Sequence, residues 1–358
     1  MVHQIVKPEK IAATAAVLLE QSLTVPAVFQ REGIDQYKGA EDDTINVTVE
    51  GVLPFRTYGW RNDRSSSIVF DEYKERKVPV TFGGDAYNAV RLTDEQNDFD
   101  LKGWTKLARK QTEALAKGLN FEAADYLSKA QYDVVLGVPE YAMRWALIRA
   151  RAMLNRLQAP GTRRTLLVGT DWESTLLEDE KLNLAQNVGE SEAVSALRDA
   201  SLGRRYGFDI VVAQEIDPTD AFALVDSAFI FANGAPSVPQ SVPFGATSSY
   251  EGVALRWLRD YETEKMRDRS VFNTYRGFRN VRDVLVGRDP NTKQAFVGDF
   301  DHFVRAIKLE LTPDKASATA ATVVPKVTAG TTEAEKRATE LATITGVKAP
   351  TIPDAPTA

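Results

Sequence analysis

The stretch TINVTVEGVLPFRTYGWRNDRSSSIVFDEYKERKVPVTF, residues 44–82, begins and ends as a strand and carries about two dozen charge-rich residues in between. At its start Ile45, Val47 and Val49 alternate with Asn46, Thr48 and Glu50, the period of two that buries one face of a strand. At its end Val78, Val80 and Phe82 repeat the pattern. Between them lies a charge-rich segment that nevertheless keeps Phe55, Tyr58, Trp60 and Tyr73. This predicts a long, mostly two-stranded excursion from the body of the protein. An isolated two-stranded ribbon is only marginally stable in water, and clustered exposed aromatics mark a contact surface. The excursion is therefore expected to rest on a neighbouring copy of this chain, through Phe55, Tyr58, Trp60, Arg61, Arg64 and Tyr73.

Working outward, Ile11, Ala12, Ala15, Leu18 and Leu19 carry the 3.6-residue period of an amphipathic helix over 8–21, which ends before Thr24 and Pro26. On the other side, Trp104, Leu107, Ala108, Leu115, Leu119, Ala123 and Leu127 predict one long helix from about 102 to 131, with a possible break at Gly118. At 1.5 Å per residue it would be roughly 40 Å long. A further helix is expected to open at Pro139 and stop before Pro160 and Gly161, followed by a strand over 165–169. Thr170 and Glu173 have capping-box spacing for a short helix, and 191–200 reads as another. Residues 208–213 read as a buried strand, while 221–232 fits strand or helix. The β-branched and aromatic residues of 252–286 form two runs about a charged turn at Glu264, Lys265 and Asp268, a long hairpin. Short strands are expected over 295–297 and 303–311.

After Thr312 the composition changes. The 46 residues from Pro313 to Ala358 hold 11 Ala, 10 Thr and 5 Pro and no aromatic, too little apolar surface to fold alone. The helix candidate in this segment is 332–343.

The 358 residues are 43% hydrophobic, and no run approaches the roughly 18 apolar residues of a spanning helix, so neither a membrane anchor nor a signal peptide is expected. With no cysteine, disulfides, thiol catalysis and thiolate zinc sites are excluded; with only His3 and His302, little histidine chemistry remains. A net charge of −6, from 44 Lys+Arg and 50 Asp+Glu, is the wrong sign for a protein that grips phosphates. The charges are uneven, however. Residues 139–164 hold six arginines (Arg144, Arg149, Arg151, Arg156, Arg163, Arg164) and 170–199 hold eight acids. These are either two solvated helix faces or complementary contacts between copies.

No phosphate-binding glycine loop, dinucleotide fingerprint or nucleophile elbow is present. Asp98 and Asp100 are explained by helix capping, and Glu178, Asp179 and Glu180 by a solvated face. Asp299, Asp301 and His302 match no strong metal template and read as an ordinary strand-entry turn. The sequence thus offers no catalytic, cofactor or metal residues, as befits an architectural protein.

Three stretches carry a resemblance: RRYGFDIVVAQEI (204–216), SAFIFANGAP (227–236) and EGVALRWLRDYETEKMRDRSVFNTYRGFRNVRD (251–283). Together with the order of elements they resemble the major capsid (coat) proteins of tailed bacteriophages, with the Hong Kong 97 fold, in the podovirus-coat-like branch. The resemblance covers roughly residues 5–312. It implies an α+β chain with an N-terminal arm (1–43), an extended loop (44–82), a peripheral domain (83–137 and 251–312) containing a spine helix, an α/β axial domain (138–250) and a C-terminal tail (313–358).

Its implied function is self-assembly, through hexamers and pentamers, into the icosahedral shell around packaged double-stranded DNA. The implied setting is the virion, assembled in the host bacterial cytoplasm. Scaffolding, portal and decoration proteins are possible further partners, and DNA is a neighbour held only weakly and non-specifically. Some members weld subunits through a Lys–Asn isopeptide bond; Lys74 and Lys77 lie in the loop, with no assignable acceptor. The competing readings are an encapsulin-like nanocompartment shell and, from another class, a carboxylate-dependent soluble enzyme.

Overall fold

The computed structural model describes residues 8–33, 44–56, 58, 67–73, 75–96, 104–161, 163–179, 202–242, 244–288, 295–312 and 332–346. In chain order the elements begin with α1 (Pro8–Gln21), β1 (Gln30–Gly33), β2 (Thr44–Val49), β3 (Arg76–Thr81), β4 (Asp85–Thr93) and α2 (Trp104–Lys129). Then come β5 (Val135–Pro139), α3 (Met143–Arg156), β6 (Arg164–Val168), α4 (Thr170–Glu178), β7 (Arg204–Arg205), β8 (Phe208–Val212) and β9 (Asp220–Val225). The chain continues through β10 (Phe229–Gly234), β11 (Phe244–Tyr250), β12 (Val253–Glu262), β13 (Arg267–Asn280), β14 (Asp283–Arg288), β15 (Ala295–His302), β16 (Ala306–Thr312) and α5 (Thr332–Thr345). Two compact units emerge: Met1–Val47 with Pro79–Lys129 and Phe229–Arg279, and Thr48–Val78 with Ala130–Ala228 and Asn280–Ala358.

The first unit is a sheet of order β1-β10-β13-β12-β11, with β4 pairing a further stretch of β13. The turn from β11 to β12 places both Glu251 and Gly252 at positive φ, the requirement of the tightest hairpin connection. Beside the sheet lie α1, which buries Ala12, Ala15, Ala16 and Leu19, and α2, which buries Leu115, Leu119, Ala123 and Leu127. The core between them is aromatic: Phe29 stacks on Phe229 at 5.0 Å, Phe231 on Phe278 at 5.2 Å and Tyr126 on Phe278 at 5.9 Å. One buried polar chain ties helix to sheet. Trp257 Nε1 donates to Ser270 Oγ (3.0 Å), which donates to Gln111 Oε1 on α2 (2.9 Å). Each partner satisfies the next, so none carries an uncompensated desolvation cost.

The second unit is a mixed sheet of order β5-β16-β9-β6-β8-β7, together with the β14–β15 hairpin. Helix α3 buries Ala146, Leu147, Ala150, Met153 and Leu154, and α4 buries Trp172 and Leu176, all in one core with Phe208 and Ile307. Trp172 is fully buried, and its indole N–H donates to the Thr219 carbonyl at 2.8 Å. α3 leaves Arg149, Arg151 and Arg156 in solvent. Arg164 is buried instead, donating to the carbonyls of Ala159 and Pro160 at 3.0 and 2.9 Å, so the arginine patch is not one solvated face. Arg144 lies 3.5 Å from Asp179, which joins the basic and acidic stretches within one chain. Residues 180–200, including the helix expected over 191–200, lie outside the described residues.

Several expectations need correction. α2 runs unbroken through Gly118, because the neighbouring turns bury Leu115, Leu119 and Ala116 and hold the helix against its propensity. Pro139 closes β5 rather than opening a helix; a single tight turn over Glu140–Ala142 intervenes, and α3 begins at Met143. Thr170 is inside α4, not its cap. Gly169 caps the helix through its carbonyl, which accepts from Glu173 N–H at 3.0 Å, and a side chain at 169 would overlap the backbone of Asp217 and Pro218. Asp299, Asp301 and His302 belong to β15 rather than to a turn entering a strand.

The ambiguous run 221–232 proves to be two strands joined by one turn over Asp226–Ala228. β9 and β10 belong to different sheets, and the division between compact units falls at 228/229. Every residue of both strands is buried, and such strands read as one apolar run, which is why the boundary leaves no mark in the composition.

Candidate assembly surface

β2 and β3 pair to form the root of the 44–82 excursion. There the alternation read from the sequence holds: Ile45, Val47 and Val80 are buried, while Asn46, Thr48 and Thr81 face solvent. Thr44 and Thr81 meet through their hydroxyls at 3.3 Å. Beyond Val49 the described residues show no regular pairing, and side-chain links join the legs. Gly51 N–H donates to Tyr73 Oη at 3.4 Å. Arg56 donates through Nε and Nη2 to the two carboxylate oxygens of Asp71, both at 2.7 Å, the planar fork that fits a carboxylate. These hydrogen bonds lower the Asp71 pKa and raise that of Arg56.

On this frame the apolar side chains point outward. Phe70 is 90% exposed and Phe55 80%, while Val52, Leu53, Tyr58, Ile68, Val69 and Tyr73 are all exposed as well. Large apolar side chains scattered singly need no explanation, and Tyr87, Phe121 and Met266 are of that kind. Eight of them lie within 22 residues of chain on a pinned two-legged loop, a clustering of the kind that marks candidate contact surfaces. Of the predicted contact residues, Phe55, Tyr58 and Tyr73 lie on this loop and are exposed; Trp60, Arg61 and Arg64 lie outside the described residues. Val52, Leu53, Ile68, Val69 and Phe70 were missed. The signal was available: Ile68-Val69-Phe70 is the one apolar triplet in a charged stretch that gives it nothing to pack on.

Among the described residues no cluster of His, Asp and Glu has the arrangement of a metal site. Residues 78–286, more than half of the chain, match the family of phage capsid proteins. The chain belongs to the phage capsid protein family.

No curated protein matches it in sequence. Solved structures do match in fold. The capsid of the cyanophage P-SCSP1u has a TM-score of 0.56 at 9% identity, covering 80% of this chain and 87% of that one. A structure from Mycobacterium phage Che8 has 0.54 at 13%, covering 80% and 90%. The capsid of Ralstonia phage GP4 has 0.52 at 11%, covering 87% and 94%. This phage capsid protein is a major capsid protein of the Hong Kong 97 type, a virion component that assembles with copies of itself into a shell. The family match begins at 78 and ends at 286, so the outward-facing loop and α5 both lie outside it and have to be explained from this capsid protein's own residues.

Proposed function

We propose that the loop of residues 48–75 lies over a neighbouring subunit in the shell and buries its apolar side chains there, joining copies without covalent bonds. The observation that carries this reading is the outward cluster of Phe55, Phe70 and their six neighbours on a frame held by Arg56 and Asp71. Moving one such side chain out of water contributes roughly 1.5–3 kcal/mol, so a few per subunit, repeated around a closed shell, dominate assembly. In this reading the first compact unit serves as the peripheral domain and the mixed sheet of the second as the axial domain, with the arginines of α3 at contacts between copies.

The subunit acts as a structural protein, not an enzyme, and assembles in the cytoplasm of a bacterial host. Scaffolding, portal and decoration proteins are its further partners. The net charge of −6 suits a wall that holds concentrated DNA close without gripping it. Deleting residues 55–70 tests the reading: the variant should keep the far-UV circular dichroism and cooperative unfolding of the parent but sediment only as subunits or capsomers. Shells of normal size and yield from this deletion would refute the role of the loop.

A further inference from the structure

α5 lies against the β14–β15 hairpin, with Arg337, Glu340, Leu341 and Ile344 turned toward the body. Leu341 and Ala338 are buried, and Leu341 and Ile344 join the core of the second unit. The Glu340 carboxylate accepts the backbone N–H groups of Asp299 (3.1 Å) and Phe300 (3.2 Å) and stands 3.3 Å from Nε2 of the fully buried His302. Arg337 donates to the Asp301 carbonyl. Positions 337, 340, 341 and 344 have the spacing of a single helical stripe. Gly298 leaves room for the seat: a Cβ there would overlap the Glu340 carboxylate and come within 3.2 Å of Ile344 Cδ1, so a larger residue forces both side chains aside.

The same piece of strand also holds the root of the extended loop. Arg76, the first residue of β3, forms an ion pair with the Asp301 carboxylate. Asp301 is thus held from two sides, by α5 at its carbonyl and by the loop root at its carboxylate. Hydrogen bonding at the seat is incomplete: Arg76 Nη1 and Arg337 Nε are buried without a protein hydrogen-bond partner, and His302 Nδ1 stands 3.8 Å from the Asp133 carboxylate. Imperfect pairing of this kind lowers the net gain of packing α5 there.

We propose that α5 is a releasable clamp on the root of the extended loop. Seated, it fixes Asp301 where Arg76 meets it and so sets how the loop leaves the body; unseated, it loosens that root. Coupling of this kind needs one shared element that both sites bias, and residues 298–302 are that element. The consequence for assembly rests on the loop being the inter-subunit contact. The coupling itself does not, and it is measured on unassembled subunits.

The test is hydrogen exchange on the full chain carrying Gly298→Val, a substitution a strand tolerates but the seat does not. Amide exchange within 332–345 and at Asp299 and Phe300 should speed up at least tenfold, exchange at 76–78 at least threefold, and β6 should stay as protected as in the parent. Release of α5 with unchanged exchange at 76–78 would overturn the clamp, as would a helix that stays protected. Should Gly298→Val also unprotect β6, the variant Arg337→Met with Glu340→Gln replaces it, with the same expectations and the same overturning result. An effect on exchange with shells still forming normally would retain the clamp and count against the loop reading instead.

Discussion

Two ribbons in this molecule mix aromatic and charged residues in nearly the same way and meet opposite fates. In the β12–β13 hairpin Trp257 faces Phe272 across the strands, with ring centroids 6.0 Å apart, and both are buried. Its charges pair locally, Arg259 with Asp268 at 2.9 Å and Arg267 with Glu262 at 2.7 Å, and the Arg259 guanidinium also stacks on Trp104 at 4.0 Å. Strands β4, β10 and β11 flank the pair, and α2 reaches Ser270 through Gln111. The 48–75 loop has a comparable supply of aromatics but, among the described residues, no flanking strand, and Phe55 and Phe70 stand in solvent. The chemistry of the two ribbons differs little. What differs is whether the chain supplies a second surface, and we propose that the ribbon left without one is a subunit's half of an interface.

The comparison can be broken most forcefully inside the hairpin. Phe272→Ala removes a fully buried ring and should cost the isolated subunit about 3–5 kcal/mol in chemical denaturation; a loss under 1 kcal/mol would mean the hairpin is not completed within the chain after all. A smaller effect is expected at the pinned frame of the loop. The Asp71 pKa is lowered by the hydrogen bonds from Arg56, so their contribution is fully present above the ordinary carboxylate value, near pH 4, and is lost as pH falls through the lower folded value. Because the pair is exposed, Arg56→Ala should leave global unfolding unchanged. Proteolytic nicking of the loop, faster at acid pH in the parent, should become equally fast at both pH values in the variant. A parent loop whose nicking is indifferent to pH would remove the frame from the account.

Most elements were legible because their periodicity is local. Ile45 and Val47, the α2 stripe from Leu107 to Leu127, and the two strands about Glu264 each repeat at the spacing of the structure they form. What escaped depends on residues far apart in the chain. Ile68, Val69 and Phe70 stand out as an apolar triplet in a charged stretch, but that composition equally suits a buried strand, and only the fold shows them exposed. Thr170 and Glu173 satisfy a capping rule by spacing, yet the close approach of residues 217 and 218 hands the cap to Gly169. Similarly, Gly298 has meaning only because Glu340 arrives above it.

The central claim is that the loop's apolar side chains join subunits while adding nothing to the fold of their own. It is tested most directly by Phe55→Asp with Phe70→Asp, followed by denaturant unfolding of the subunit and sedimentation of the assembly reaction. The account predicts an unfolding free energy within about 0.5 kcal/mol of the parent and no closed shells. Closed shells at parental yield, or a subunit that no longer folds, would contradict it.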